Sequence, residues 1–168
     1  MMMKLYRFKF SAMKPLSILN AMIRADLIRR YPEIPERLLP NKPIKATKAN
    51  ELTKAVIKFI QLSGGQAERI SVTGRRIDMR KTFTNVLGQQ RQIGSIRWIK
   101  SSMQKGSADI SATIAGRSIK IEIKVGRDRI RPEQEIYQQQ VEKAGGIYLL
   151  IHTFDEFYQW YTSKNPEK

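Results

Sequence analysis

Asp109, Glu122 and Lys124 are two acids and a base in a spacing that suits phosphodiester chemistry. They lie in "KGSADISATIAGRSIKIEIKVGRDRIRPEQ", Lys105 to Gln134, where two stretches alternate in polarity. Ile110, Ala112 and Ile114 alternate with Asp109, Ser111 and Thr113; Ile119, Ile121, Ile123 and Val125 alternate with Lys120, Glu122 and Lys124. A period of two makes each a strand with one apolar and one polar face. A two-residue type II′ turn at Gly116-Arg117 would join them as a hairpin. That register sets Asp109 opposite Lys124, Ser111 opposite Glu122 and Thr113 opposite Lys120. A slip of one residue would mix the faces. Two carboxylates close together repel unless a proton or a cation sits between them. With oxygen ligands alone, that cation is hard: Mg²⁺, or Mn²⁺ as a substitute. It would polarise a phosphodiester and lower the pKa of a water. Lys124, on the same face, can reach that water or stabilise charge building on the phosphorane. Taken alone, Glu-x-Lys on a strand and cross-strand charge pairs usually do no more than solvate a sheet face.

The whole chain leans toward a polyanionic partner. Its 168 residues hold 31 Lys and Arg against 15 Asp and Glu, a net charge of +16. Such a surface attracts phosphate backbones, so nucleic acid is the expected partner. No base-reading motif such as a zinc finger is visible, which points to recognition of backbone and shape. There is no cysteine, which excludes disulfides, thiolate zinc sites and cysteine nucleophiles. His152, the only histidine, falls in an apolar run and reads as structural. No stretch approaches the ~18 apolar residues of a membrane span. The start "MMMKLYRFKF" lacks a secretory leader pattern, so the expected compartment is the cytoplasm.

The elements that must position these residues follow from pattern. Residues 1–46 read as an N-terminal arm: a helix from Pro15 to Arg30 carrying Leu16, Leu19, Ile23, Leu27 and Ile28, then "YPEIPERLLPNKPIKATK" with four prolines, which reads as extended. The compact domain is expected over 47–168. It opens with a helix whose Leu52, Val56, Phe59 and Ile60 share a stripe that Gly64-Gly65 terminate. Glu51 projects beside that stripe and is a further candidate ligand, directly or through water. "AERISVTGRRID" and "QIGSIRWIKS" read as strands. After the hairpin comes a basic loop, Arg127, Arg129 and Arg131, a candidate phosphate contact. Pro132 then opens a helix with Ile136, Tyr137, Val141 and Ala144 as its expected buried arc. "IYLLIHT" reads as a strand covered on both faces. Thr153 and Glu156 form a capping box for a last helix with Phe157, Trp160 and Tyr161. The expected class is α/β, a mixed sheet with helices packed on it.

Glu122-Ile-Lys124, Asp128-Arg129-Ile130 and Gln134 resemble the "E-V-K…D-R-L…Q" signature of VRR-NUC domains, the virus-type replication-repair nucleases of the PD-(D/E)xK superfamily. Asp109 is similar to that family's "PD" aspartate, with Ala108 in place of the proline. The resemblance covers roughly residues 51–157. It implies a restriction-endonuclease-like αβββαβ core and metal-dependent hydrolysis of DNA. Asp109 and Glu122 would hold metal with the Ile123 carbonyl, Lys124 would act on the water, and Gln134 would support the site. Glu51 resembles the first-helix acid of many members. Small members resemble phage-encoded nucleases that cut branched DNA in recombination or repair, and tend to be homodimers. Two alternatives remain open: a non-catalytic nucleic-acid-binding module on the same fold, and an RNA-directed nuclease.

Overall fold

In the computed structural model, which describes residues 13–71, 74–101 and 104–164, one four-stranded sheet carries the molecule. In chain order its elements are α1 (Pro15–Arg30), α2 (Ala49–Leu62), β1 (Gln66–Arg69), a four-strand excursion β2 (Arg75–Asp78), β3 (Lys81–Thr84), β4 (Gln90–Ile93) and β5 (Ile96–Ile99), then β6 (Ile110–Ile114), β7 (Arg117–Ile123), α3 (Pro132–Lys143), β8 (Ile147–Ile151) and α4 (Phe154–Lys164). The sheet order is β1-β6-β7-β8. The first two pairings are antiparallel and the β7–β8 pairing is parallel. Without the excursion, α2-β1-β6-β7-α3-β8 is the expected helix, three strands, helix, strand. Because β7 and β8 run parallel, a crossover helix must join them, and α3 does so.

The alternation in β6 and β7 builds one dry face. Ile110, Ala112, Ile114, Ile119, Ile121 and Ile123 are all buried there, against Leu52, Val56, Phe59 and Ile60 of α2 and Phe157 of α4. Each such aliphatic chain is worth roughly 1.5–3 kcal/mol of burial. Phe59 meets Phe154, Phe157, Tyr158 and Tyr161 edge-on, with ring centroids 5.0–5.9 Å apart. The stretch expected as an arm joins this core. Leu19 of α1 is buried within it, and Leu16, Met22 and Ile23 pack against it. The proline-rich return is held by Asn20, whose Oδ1 accepts the Ile44 N–H at 2.7 Å.

Five details differ from expectation. The hairpin turns at Ala115-Gly116, both at positive φ (49° and 76°), and Ile114 pairs with Arg117. Two successive positive φ values give a type I′ turn, whose twist matches that of the flanking strands. The ladder is thereby displaced two residues from the expected register, which keeps both faces pure. The segments "AERISVTGRRID" and "QIGSIRWIKS" are not single strands. β2 leaves the main sheet to pair with β5, and β3 pairs with β4. The α3 arc is not deeply buried: Ile136 is 55% exposed, Ala144 is exposed, and Tyr137 and Val141 are half-buried. This helix covers the polar face of the sheet, which offers few apolar partners. β8 is an edge strand, mostly half-buried. His152 lies beyond its end, exposed, with Nδ1 3.4 Å from Glu156. The capping box does form: Thr153 Oγ1 accepts the Glu156 N–H at 3.2 Å, and Glu156 Oε2 accepts the Thr153 N–H at 3.3 Å.

Candidate active site

The two-residue displacement decides the site. Extended one step past its end, the register Ile110↔Ile121 would bring Asp109, in the bend just before β6, level with Glu122 rather than Lys124. Asp109 Oδ2 accepts the N–H of Ile123 at 3.0 Å, which ties the acid to β7. In an extended strand the N–H and C=O of one residue point the same way. The Ile123 carbonyl therefore faces the Asp109 side as well.

Glu122 and Lys124 share the polar face of β7, beneath α3, and are only 2% and 4% exposed. Lys124 Nζ lies 3.0 Å from Glu122 Oε1 and 3.4 Å from Asp128 Oδ2. Gln134, on the first turn of α3, locks the pair. Its Oε1 accepts from Lys124 Nζ and from the Arg131 N–H, each at 3.0 Å, while its Nε2 donates to Glu122 Oε1 at 2.5 Å. A side-chain amide presents one acceptor and one donor edge, so this glutamine reads both charges at once. Gly106 makes the approach of α3 possible. It sits at φ 85°, and a Cβ there would stand 2.2 Å from the Glu133 carbonyl oxygen.

Burial raises the Glu122 pKa above the ordinary carboxylate range. Lys124 opposes this by hydrogen bond and charge, and the Asp109 charge adds to the rise. Glu122 Oε2 is buried and has no hydrogen-bond partner. Leaving such an atom unpaired costs roughly 1–3 kcal/mol, more when it is charged. Tyr148 was not foreseen. It lies on the same face, across from Lys120 in the β7–β8 ladder. Its hydroxyl is also buried, outside good hydrogen-bond geometry but close enough to Glu122 to interact with that carboxylate. Burial, followed by the Glu122 and Asp109 charges, pushes its pKa up.

These features fit a divalent cation. Two facing carboxylates, one with an unsatisfied oxygen, and a nearby carbonyl are a hard-oxygen set. Mg²⁺ commonly binds through one or two carboxylates, keeps several waters and takes substrate phosphate besides. Among the described residues, no group of three or more acidic, His or Cys side chains is clustered to hold a metal. Glu51 is engaged elsewhere: its Oε2 accepts from the Thr47 hydroxyl at 2.8 Å and from the Thr47 and Lys48 N–H groups. The Thr47 hydroxyl, chiefly, holds its pKa below the usual range. The carboxylate thus caps α2. Asn50, its neighbour, binds Arg69, which pairs with Ile110, so the α2 N-terminus lies at the Asp109 end of the sheet. Arg127, Arg129 and Arg131 are exposed on the loop joining β7 to α3. No protein-family model matches the chain, and no curated protein matches it.

Proposed function

We propose that this protein is a Mg²⁺-dependent DNA endonuclease that hydrolyses phosphodiester bonds in branched or otherwise structured DNA, as in phage or mobile-element recombination and repair. The observation that carries this reading is Glu122. It is a buried carboxylate facing Asp109, with one oxygen on Lys124 and Gln134 and the other unpaired. A structural ion pair has no need of a second acid across the ladder. A site that holds a cation does.

A divalent ion held by Asp109 and Glu122, with the Ile123 carbonyl, would supply positive charge to polarise a phosphodiester and acidify a water. The chain's own groups do the rest. Lys124, fixed by Glu122 and Gln134, presents an ammonium that favours the extra negative charge of the transition state over the ground state. Gln134 keeps Lys124 and Glu122 in register, so neither side chain must be reordered during reaction. Arg127, Arg129 and Arg131 lie where a phosphate backbone entering the site would be neutralised.

The test is cleavage of labelled duplex, single-stranded, flapped and four-way-junction DNA with Mg²⁺, Mn²⁺ or EDTA. Metal-dependent cutting of a structured substrate is expected. Asp109→Asn should abolish it while retaining most DNA affinity, since that loss is felt mainly in the transition state. An intact protein that binds these DNAs but cuts none under any metal condition would identify the alternative, a non-catalytic binding module. Preferential cutting of RNA in competition would correct the substrate.

A further inference from the structure

The excursion between β1 and β6 forms a ribbon that the reaction above does not use. β2 pairs with β5 and β3 with β4, both antiparallel. The Met79 N–H reaches the Ser95 carbonyl at 3.2 Å across the join. Gly94 allows the bend, at φ 92° with a Cβ position only 2.3 Å from the Met79 carbonyl oxygen. The four strands contain no buried residue. The ribbon leaves Met79, Phe83, Ile93, Ile96, Trp98 and Ile99 exposed, so it adds little to the core.

Its side chains have another logic. Residues 74–101 hold seven Lys and Arg and one acid, Asp78. Arg80 occupies that acid with two bonds, at 2.9 and 2.6 Å. Aromatic and cationic residues are cross-strand neighbours on shared faces: Arg76 faces Trp98, and Arg91 faces Phe83. Trp98 is 71% exposed. At the ribbon base, Trp98 and Lys100 line a cavity of about 420 Å³ together with Lys105, Glu133, Arg131 and Gln134. Gln134 is the residue that holds Glu122 and Lys124. The cleft therefore runs from the exposed indole to the glutamine that holds Glu122 and Lys124, and its size suits a nucleotide.

We propose that the ribbon is a DNA-binding arm and that Trp98 stacks on an unpaired nucleotide held in this cleft, next to the phosphate to be cut. Cations spaced along the ribbon neutralise the backbone, and an indole offers a stacking platform indifferent to sequence. A base inside a duplex already has both faces covered, so the platform selects DNA with an unpaired base: a flap, a gap or a branch point. The placement beside the cut phosphate rests on the nuclease reading; the stacking itself does not.

The experiment is fluorescence anisotropy in EDTA with two labelled DNAs, a blunt duplex and the same duplex carrying a single-stranded flap. Because Trp98 lies outside the core, Trp98→Ala should keep its melting temperature. It should lose about tenfold to a hundredfold in affinity for the flapped DNA and less than about twofold for the duplex. Trp98→Phe should retain most of the preference. Arg76→Ala with Arg97→Ala should weaken both DNAs and flatten the salt dependence. Equal affinity of Trp98→Ala and wild type for the flapped DNA would overturn the proposal, as would an equal loss on both DNAs. Flap preference without any cleavage in Mg²⁺ would leave the arm standing and remove the nuclease; cleavage without a Trp98 effect would do the reverse.

Discussion

Replacing Lys124 by Met removes the ammonium and keeps most of the aliphatic stem, so packing changes little. What remains is the Glu122 carboxylate, 2% exposed, near the Asp109 charge, with the Gln134 amide donating to it and the Tyr148 hydroxyl beside it. Removing one partner of a buried ion pair typically costs about 3–5 kcal/mol, because the other charge is stranded. For a chain of this size each kcal/mol lowers the melting temperature by roughly 2–4 °C, so the fall should be on the order of 10 °C. The charge has an escape: Glu122 can take up a proton. Its folded pKa already lies above the ordinary value, and Lys124 is the principal group holding it down. A carboxylate whose pKa rises on folding contributes stability that is present at low pH and lost as pH rises through the folded pKa. The variant should therefore approach wild type in stability at acid pH and be most destabilised at alkaline pH. The assay is urea denaturation of both proteins at acid and at alkaline pH in EDTA, followed by tyrosine and tryptophan fluorescence. A stability difference that is the same in both would refute the argument, since it would mean that no stranded charge exists to be protonated.

The same orphaned oxygen predicts a response to metal. With a dissociation constant on the order of 1 mM, about 10 mM Mg²⁺ adds RT ln(1 + [L]/Kd), near 1.4 kcal/mol, and raises the melting temperature by roughly 3–5 °C. Asp109→Asn should lose that shift, and a differential scanning fluorimetry titration in Mg²⁺ or Mn²⁺ would show it. Gly106→Ala places a Cβ 2.2 Å from the Glu133 carbonyl oxygen at a positive φ, so the first turn of α3 must move and Gln134 with it. DNA cleavage should fall by about tenfold to a hundredfold while the far-ultraviolet circular dichroism stays near wild type. Thr153→Ala removes one half of the α4 capping box and should cost about 1 kcal/mol in a urea melt, with catalysis unaffected.

Much of the frame was legible because it depends on short-range rules. Pro15 and Pro132 start helices where proline's missing N–H costs nothing, and the observed helices begin at those residues. Alternation in β6 and β7 named the dry face and the polar face, and both hold. The pairing register was not legible in the same way. Sliding one strand by two residues keeps every side chain on its own face, so hydrophobic pattern is blind to it. Only the turn distinguishes the two, and the sequence Ala-Gly-Arg offered a glycine to either. Ala115 at a positive φ is a conformation that pattern does not suggest. Tyr148 was hidden for a different reason: "IYLLI" is apolar at every position, which conceals that alternate residues of a parallel strand face different helices. Glu51 was read by its place beside the stripe, whereas its distance of three and four residues from Lys48 and Thr47 is also that of a helix cap, the role its oxygen takes.

That two-residue slide has a chemical consequence larger than its geometric one. In the expected register each acid faced a neutral or basic neighbour, Asp109 with Lys124 and Glu122 with Ser111, and the face would have been nearly neutral by itself. In the observed register Asp109, just before β6, comes level with Glu122, and Lys124 serves Glu122 along the strand instead of Asp109 across it. The Lys124 ammonium pairs with Glu122 and Asp128 and leaves Asp109 unanswered, so these acids carry an excess negative charge at the end of the sheet. A molecule of net charge +16 has abundant cations elsewhere, yet among the described residues Asp109 has no ion-pair partner. The imbalance is local, and a small divalent ion is the simplest group that can fit between facing acids and correct it.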